Sequence, residues 1–130
     1  MSETEKITIN LGLVDLGQVD LLVQEGFYSN RTDFIRTAIR NQLAKHAEEV
    51  KQTVARKTLV LGLEHYARRD LEAVREAGET LEIRVLGLAN IDEDVSPELA
   101  RETISSLVVL GALRASQAVK AALKDRIQSS

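Results

Sequence analysis

At 130 residues, with 44% apolar and 28% charged side chains, the chain has the make-up of a globular protein of one ordinary or two small domains. The absence of cysteine excludes a disulfide framework and a thiolate metal site, and no apolar run approaches the roughly 20 residues that span a bilayer. The net charge of −3 is shared by both halves, residues 1–46 carrying five Lys/Arg against six acids, so a nucleic-acid role cannot rest on a basic bias.

The opening residues Met-Ser-Glu-Thr-Glu-Lys contain no basic region followed by an apolar stretch, so no secretory signal is expected and a cytoplasmic setting is. Residues 6–11, Lys-Ile-Thr-Ile-Asn-Leu, then alternate strictly between polar and apolar. This is the period of a half-buried strand, with Ile7, Ile9 and Leu11 on one face and Lys6, Thr8 and Asn10 on the other. No second strand follows within hairpin distance, and a lone strand is unstable, so its partner is expected from another copy of the chain.

Asp15 and Gln18 have the spacing of a capping box, placing the start of a first helix near Asp15, with Leu16, Val19, Leu22 and Val23 on its apolar face and Gly26 ending it. A second helix start follows, with Asn30 as cap and Asp33 at the third position, and Phe34, Ile35, Ala38, Ile39 and Leu43 recur at helical spacing. Neither glycine nor proline interrupts residues 31–57, so the helix is expected to run past Leu43, its packed part ending near His46.

Strand, helix, glycine-containing turn and a capped helix opening on Asn30-Arg31-Thr32-Asp33-Phe34-Ile35-Arg36 together resemble the ribbon-helix-helix family of Arc, MetJ and CopG. The resemblance covers residues 5–46. It implies a homodimer whose strands pair antiparallel between copies over a shared core of Ile7, Ile9, Leu11, Phe34, Ile35 and Ile39. Lys6, Thr8 and Asn10 would then face double-stranded DNA, where a two-stranded ribbon fits the major groove and such side chains can bond base edges. The resemblance also implies a phosphate clamp at Ser29, Asn30 and Arg31, at a helix N-terminus that favours anions. Arg36 and Arg40 read as solvated charges on the face of the helix.

After residue 57 one pattern recurs three times, as Val60-Leu61-Gly62-Leu63, Val85-Leu86-Gly87-Leu88 and Val109-Leu110-Gly111-Ala112. Helical patterns lie between, clearest at Ser96-Pro97-Glu98, where a cap precedes a proline and an acid. Each unit reads strand, turn, helix, which predicts a parallel sheet and a period in the range of leucine-rich-like solenoids, though without their asparagine signature. Open ends of such a stack call for self-association or a protein partner. Gly87, with a neighbour on each side, is expected to tolerate valine less well than Gly111.

His46 and His65 have no second ligand at metal-binding spacing, Asp92-Glu93-Asp94 lacks the spaced oxygens of a calcium loop, and no phosphate-binding glycine motif is present. No catalytic residue, metal or cofactor is expected, and the chain is not expected to be an enzyme. The expected fold is α+β: a dimeric ribbon-helix-helix module at 1–46, a helical extension at 47–57, and a three-unit βα repeat, solenoid-like, at 58–127. The expected function is sequence-specific DNA binding by a repressor acting as a dimer or higher oligomer, without membrane attachment. An antitoxin that also binds a toxin, and an adaptor using the module only for assembly, are the alternatives.

Overall fold

The structure, a computed structural model, describes residues 4–128. It falls into two compact units, one of Thr4–Thr53 and one beginning at Val54. The division lies inside a helix that the sequence assigns to the connection between domains.

The first unit is helical. Helix α1 spans Leu13–Gln24 and α2 spans Arg31–Lys45. Helix α1 starts earlier than its sequence suggests: Gly12 is the cap residue, and Asp15 sits inside the first turn, where a carboxylate favours the positive end of the helix. Its end follows the sequence. Gly26, at φ +86°, donates to the Val23 carbonyl while Phe27 donates to Leu22, the paired bonds of a glycine C-cap. At His46 the chain turns, and a separate helix α3 runs over Ala47–Arg56. The uninterrupted helix expected from the lack of glycine and proline is therefore broken once.

The turn after helix α3 closes at Thr58, whose amide donates to the Ala55 carbonyl while that of Leu59 donates to that of Val54. This is the same closing motif with a β-branched residue at φ +52°, where glycine is normally found. The left-handed conformation costs an L residue about 1–2 kcal/mol, and glycine returns part of that as unfolded-state entropy. Thr58→Gly should therefore stabilise the second unit by about 0.5–1 kcal/mol, seen as a higher urea midpoint at unchanged slope.

The second unit is a three-stranded parallel sheet in the order β1-β2-β3, with β1 at Val60–Tyr66, β2 at Leu81–Ile91 and β3 at Ile104–Arg114. Helices α4 (Arg68–Glu76), α5 (Pro97–Thr103) and α6 (Gln117–Ala122) follow the strands in turn. They pack on one face of the sheet, where Leu71, Leu99, Val119 and Leu123 bury Ile83, Val85, Ala89, Ile91 and Leu107. Ser96 and Ser116 cap α5 and α6 through their hydroxyls, which accept from Leu99 and Val119. The recurring glycines align in register, Gly62 beside Gly87 and Gly87 beside Gly111.

Contrary to the expectation of two open ends, the edge at β3 is partly closed. Ile127 forms a bridge with Leu107, and the Gln128 amide donates to the Leu107 carbonyl at 2.7 Å. Arg101 holds this return in place, with a bidentate pair to Asp125 at 2.8 and 3.1 Å and a bond to the Ala122 carbonyl at 2.6 Å. Arg126 adds bonds to the carbonyls of Arg101 and Ile104. Among the described residues no helix is long and apolar enough to cross a membrane.

Candidate nucleic-acid interface

Residues 4–12 precede α1 and form no strand within a single chain. A β-ladder needs a partner, and residues 4–12 pair with none of the three strands, which form their own sheet in the second unit. Lys6, Thr8 and Asn10 are exposed, as the polar row of a ribbon requires. The apolar row is exposed as well, Ile7 at 72%, Ile9 at 54% and Leu11 at 40%.

Ile9 and Leu11 border an open, mainly apolar groove of about 450 Å³ whose other walls are Asp15, Gln18, Val19 and Leu22 of α1 and Phe34, Ile35, Ala38 and Ile39 of α2. Five of the six side chains expected in a shared core therefore surround one cavity; Ile7 lies outside its lining. Across Thr4–Thr53, Val19 is the one buried side chain. A module that hides so little apolar surface has almost no core of its own.

The turn into α2 is tightly built. Asn30 accepts from the Asp33 amide through its side chain at 2.8 Å, and the Asp33 carboxylate accepts from the Ser29 amide at 2.9 Å. Tyr28 meets Phe34 edge to face, ring centroids 5.0 Å apart. The reciprocal bonds match the capping pattern in the sequence, but one of them occupies the Ser29 amide, a donor expected to hold phosphate. The Arg31 guanidinium is engaged too, making a bidentate pair with Asp20 of α1 at 2.8 Å on both bonds. That pairing holds the Asp20 carboxyl below the usual carboxylate range and raises Arg31.

Helix geometry leaves the first-turn amides of Arg31 and Thr32 without intrahelical acceptors. Beside this helix start lies a polar hollow lined by Ser29, Asn30, Thr32 and Asp33 together with Arg36, Thr37 and Arg40. The two arginines that the sequence places on a solvated helix face thus share a surface with the expected clamp. Their signal was available, since Thr32, Arg36 and Arg40 are spaced by four and lie on one side of a helix. Asp20 gave no such signal, because it reaches Arg31 across eleven residues of chain.

The match to known families agrees with this geometry. Residues 2–120 match the Ribbon-Helix-Helix transcriptional regulator family, and the chain belongs to it. The match includes both units, so the second belongs to the family pattern as well as the first. No curated protein and no solved structure matches the chain.

Proposed function

We propose that this chain is a sequence-specific DNA-binding regulator that works as a dimer and represses by occupying its site. Two copies of residues 6–11 pair as an antiparallel ribbon, present Lys6, Thr8 and Asn10 twice to a major groove, and close the apolar groove against each other's helices. The start of α2 meets the backbone on either side, through Ser29, Asn30 and Arg31 with Arg36 and Arg40 beside them. The second unit joins copies of the protein as a βα repeat, no step of the function is catalytic, and the setting is cytoplasmic. The observation that carries this reading is the exposed apolar row of Ile7, Ile9 and Leu11 beside an unfilled apolar groove in a unit that buries Val19 alone.

The test is selection of bound sites from random DNA, followed by variants on the selected site. Asn10→Ala should relax preference at one symmetric pair of base positions and weaken binding by about 1–3 kcal/mol for each bidentate base bond removed. Unchanged affinity and unchanged preference for both Asn10→Ala and Thr8→Ala would remove the ribbon as the reader. Absent or salt-independent DNA binding would favour the adaptor reading, which draws support from the slight acidic excess of residues 1–46.

The Asp20–Arg31 pair makes a further prediction for affinity. An exposed arginine held by a carboxylate must leave it to reach phosphate, so Asp20→Asn should bind DNA more tightly than the parent. If one phosphate contact is added, the slope of log affinity against log salt should steepen by about 0.9. An unchanged slope would mean that Arg31 stays off the DNA. The pair also has a sign in pH. A depressed carboxyl adds stability that is present above the unfolded value near pH 4 and is lost as pH falls through the folded one. Asp125, lowered by Arg101, behaves alike, and exposure keeps both contributions small.

A further inference from the structure

The helices of the second unit cover one face of the sheet only, while parallel sheets are almost always covered on both. The other face has its side chains in register. Leu61, Leu86 and Leu110 form one row across the strands, and Leu63, Leu88 and Ala112 form the next. Leu61 is 68% and Leu63 67% exposed on β1 and Leu110 is exposed on β3, while on β2 between them Leu86 is half-buried and Leu88 is buried. Neither row carries a charge. Polar groups close the patch at both ends of the strands. On one side Arg84 donates to the Lys57 carbonyl at 2.9 Å. On the other, His65 contacts Asn90 at 2.8 Å and Asp92 at 3.0 Å, with Arg114 next in the row. An apolar patch of this kind with a polar border marks a protein contact.

We infer that this leucine face docks against the same face of a second copy of the chain, the two sheets stacking as a sandwich. Two observations select that occupant. The two rows are uncharged, so they offer nothing to nucleic acid or to a charged peptide and are complementary in character to themselves. And residues 54–59, which lead from the first unit into β1, contain no glycine or proline and are short, so a dimer made by the first unit keeps two leucine faces at an effective concentration on the order of millimolar. The last argument rests on the proposed ribbon dimer, and the test separates the two.

The chain has no cysteine, so a single introduced thiol reports its own surroundings. Leu63→Cys on the face and Gln117→Cys on α6 are each placed in the full chain and labelled with a maleimide, each rate normalised to that of the urea-unfolded protein. Leu63→Cys should label about tenfold more slowly or worse, as for a contact open about a tenth of the time or less, and adding Leu61→Asp should restore the rate. Equal rates at the two positions would overturn the inference. The same labelling in the Ile9→Asp background identifies the occupant. A variant that sediments as a monomer and labels quickly supports docking between tethered copies. One that sediments as a dimer and labels slowly supports the docking while removing the ribbon as the dimer's origin. A monomer that still labels slowly would mean the chain covers its own face, and would overturn the inference.

Discussion

Ile9→Asp should abolish DNA binding and convert the protein's first unit from a cooperatively folded dimer to a largely unfolded segment. The side chain is 54% exposed in one chain and borders the groove formed by α1 and α2. In the proposed dimer it is buried between copies, and two-fold symmetry places the substitution there twice. An isolated carboxylate in such a site costs several kcal/mol, or takes up a proton to avoid the cost. The unit has no reserve to absorb that, since Val19 is its one buried side chain and its apolar area is sequestered only on association. Circular dichroism at increasing protein concentration should show helix returning slowly or not at all, while the parent unfolds only on strong dilution. Lys6→Glu, on the opposite row, should leave sedimentation unchanged and reduce DNA affinity. An Ile9→Asp protein that sediments as a dimer and binds the selected site as tightly as the parent would refute the shared core.

What the sequence made legible, and what it did not, follows from how local each determinant is. The second helix start at Asn30 and Asp33, the stop at Gly26 and the cap at Ser96 all depend on residues within four positions, and the structure has them where the pattern predicts. The parallel order of the sheet was legible because Val-Leu-Gly recurs at nearly equal intervals, which puts Gly62, Gly87 and Gly111 opposite one another. The start of α1 was misplaced because Asp15 has the spacing of a cap, although a carboxylate is equally at home three residues into a helix. The break at His46 involves neither glycine nor proline, the two residues from which breaks are read. Contacts made across the fold were not legible: Arg31 with Asp20, Arg101 with Asp125, and the return of Ile127 to Leu107. Those contacts alter the functional picture most, because they decide which cations are already engaged and which sheet edge is closed.

The glycine ladder yields a second large effect, with a ranking that differs from the one sequence position alone suggests. All three glycines have positive φ, +129° at Gly62, +141° at Gly87 and +116° at Gly111. A Cβ built on Gly87 would lie 2.1 Å from the Gly62 carbonyl oxygen, and one on Gly111 would lie 2.1 Å from that of Gly87. On Gly62 it would meet nothing within 4 Å. Each strand thus uses the preceding one as the wall against which a side chain would collide, and the strand without a wall is the first, not the last. The middle position of Gly87 therefore gives it no special sensitivity over Gly111. Alanine at Gly62 should cost about 1–3 kcal/mol, from the backbone conformation alone. Alanine at Gly87 or Gly111 adds an overlap with backbone atoms that cannot rotate away, worth about 1–3 kcal/mol more, and valine at either should prevent the second unit from folding. Urea unfolding of the three alanine variants, followed by a probe confined to the sheet, measures the ranking. Equal losses at all three positions would show that the strain in φ decides and the wall does not. A loss at Gly111 close to that at Gly62, and well below that at Gly87, would show that the β3 edge yields to the added methyl despite the bridge from Ile127.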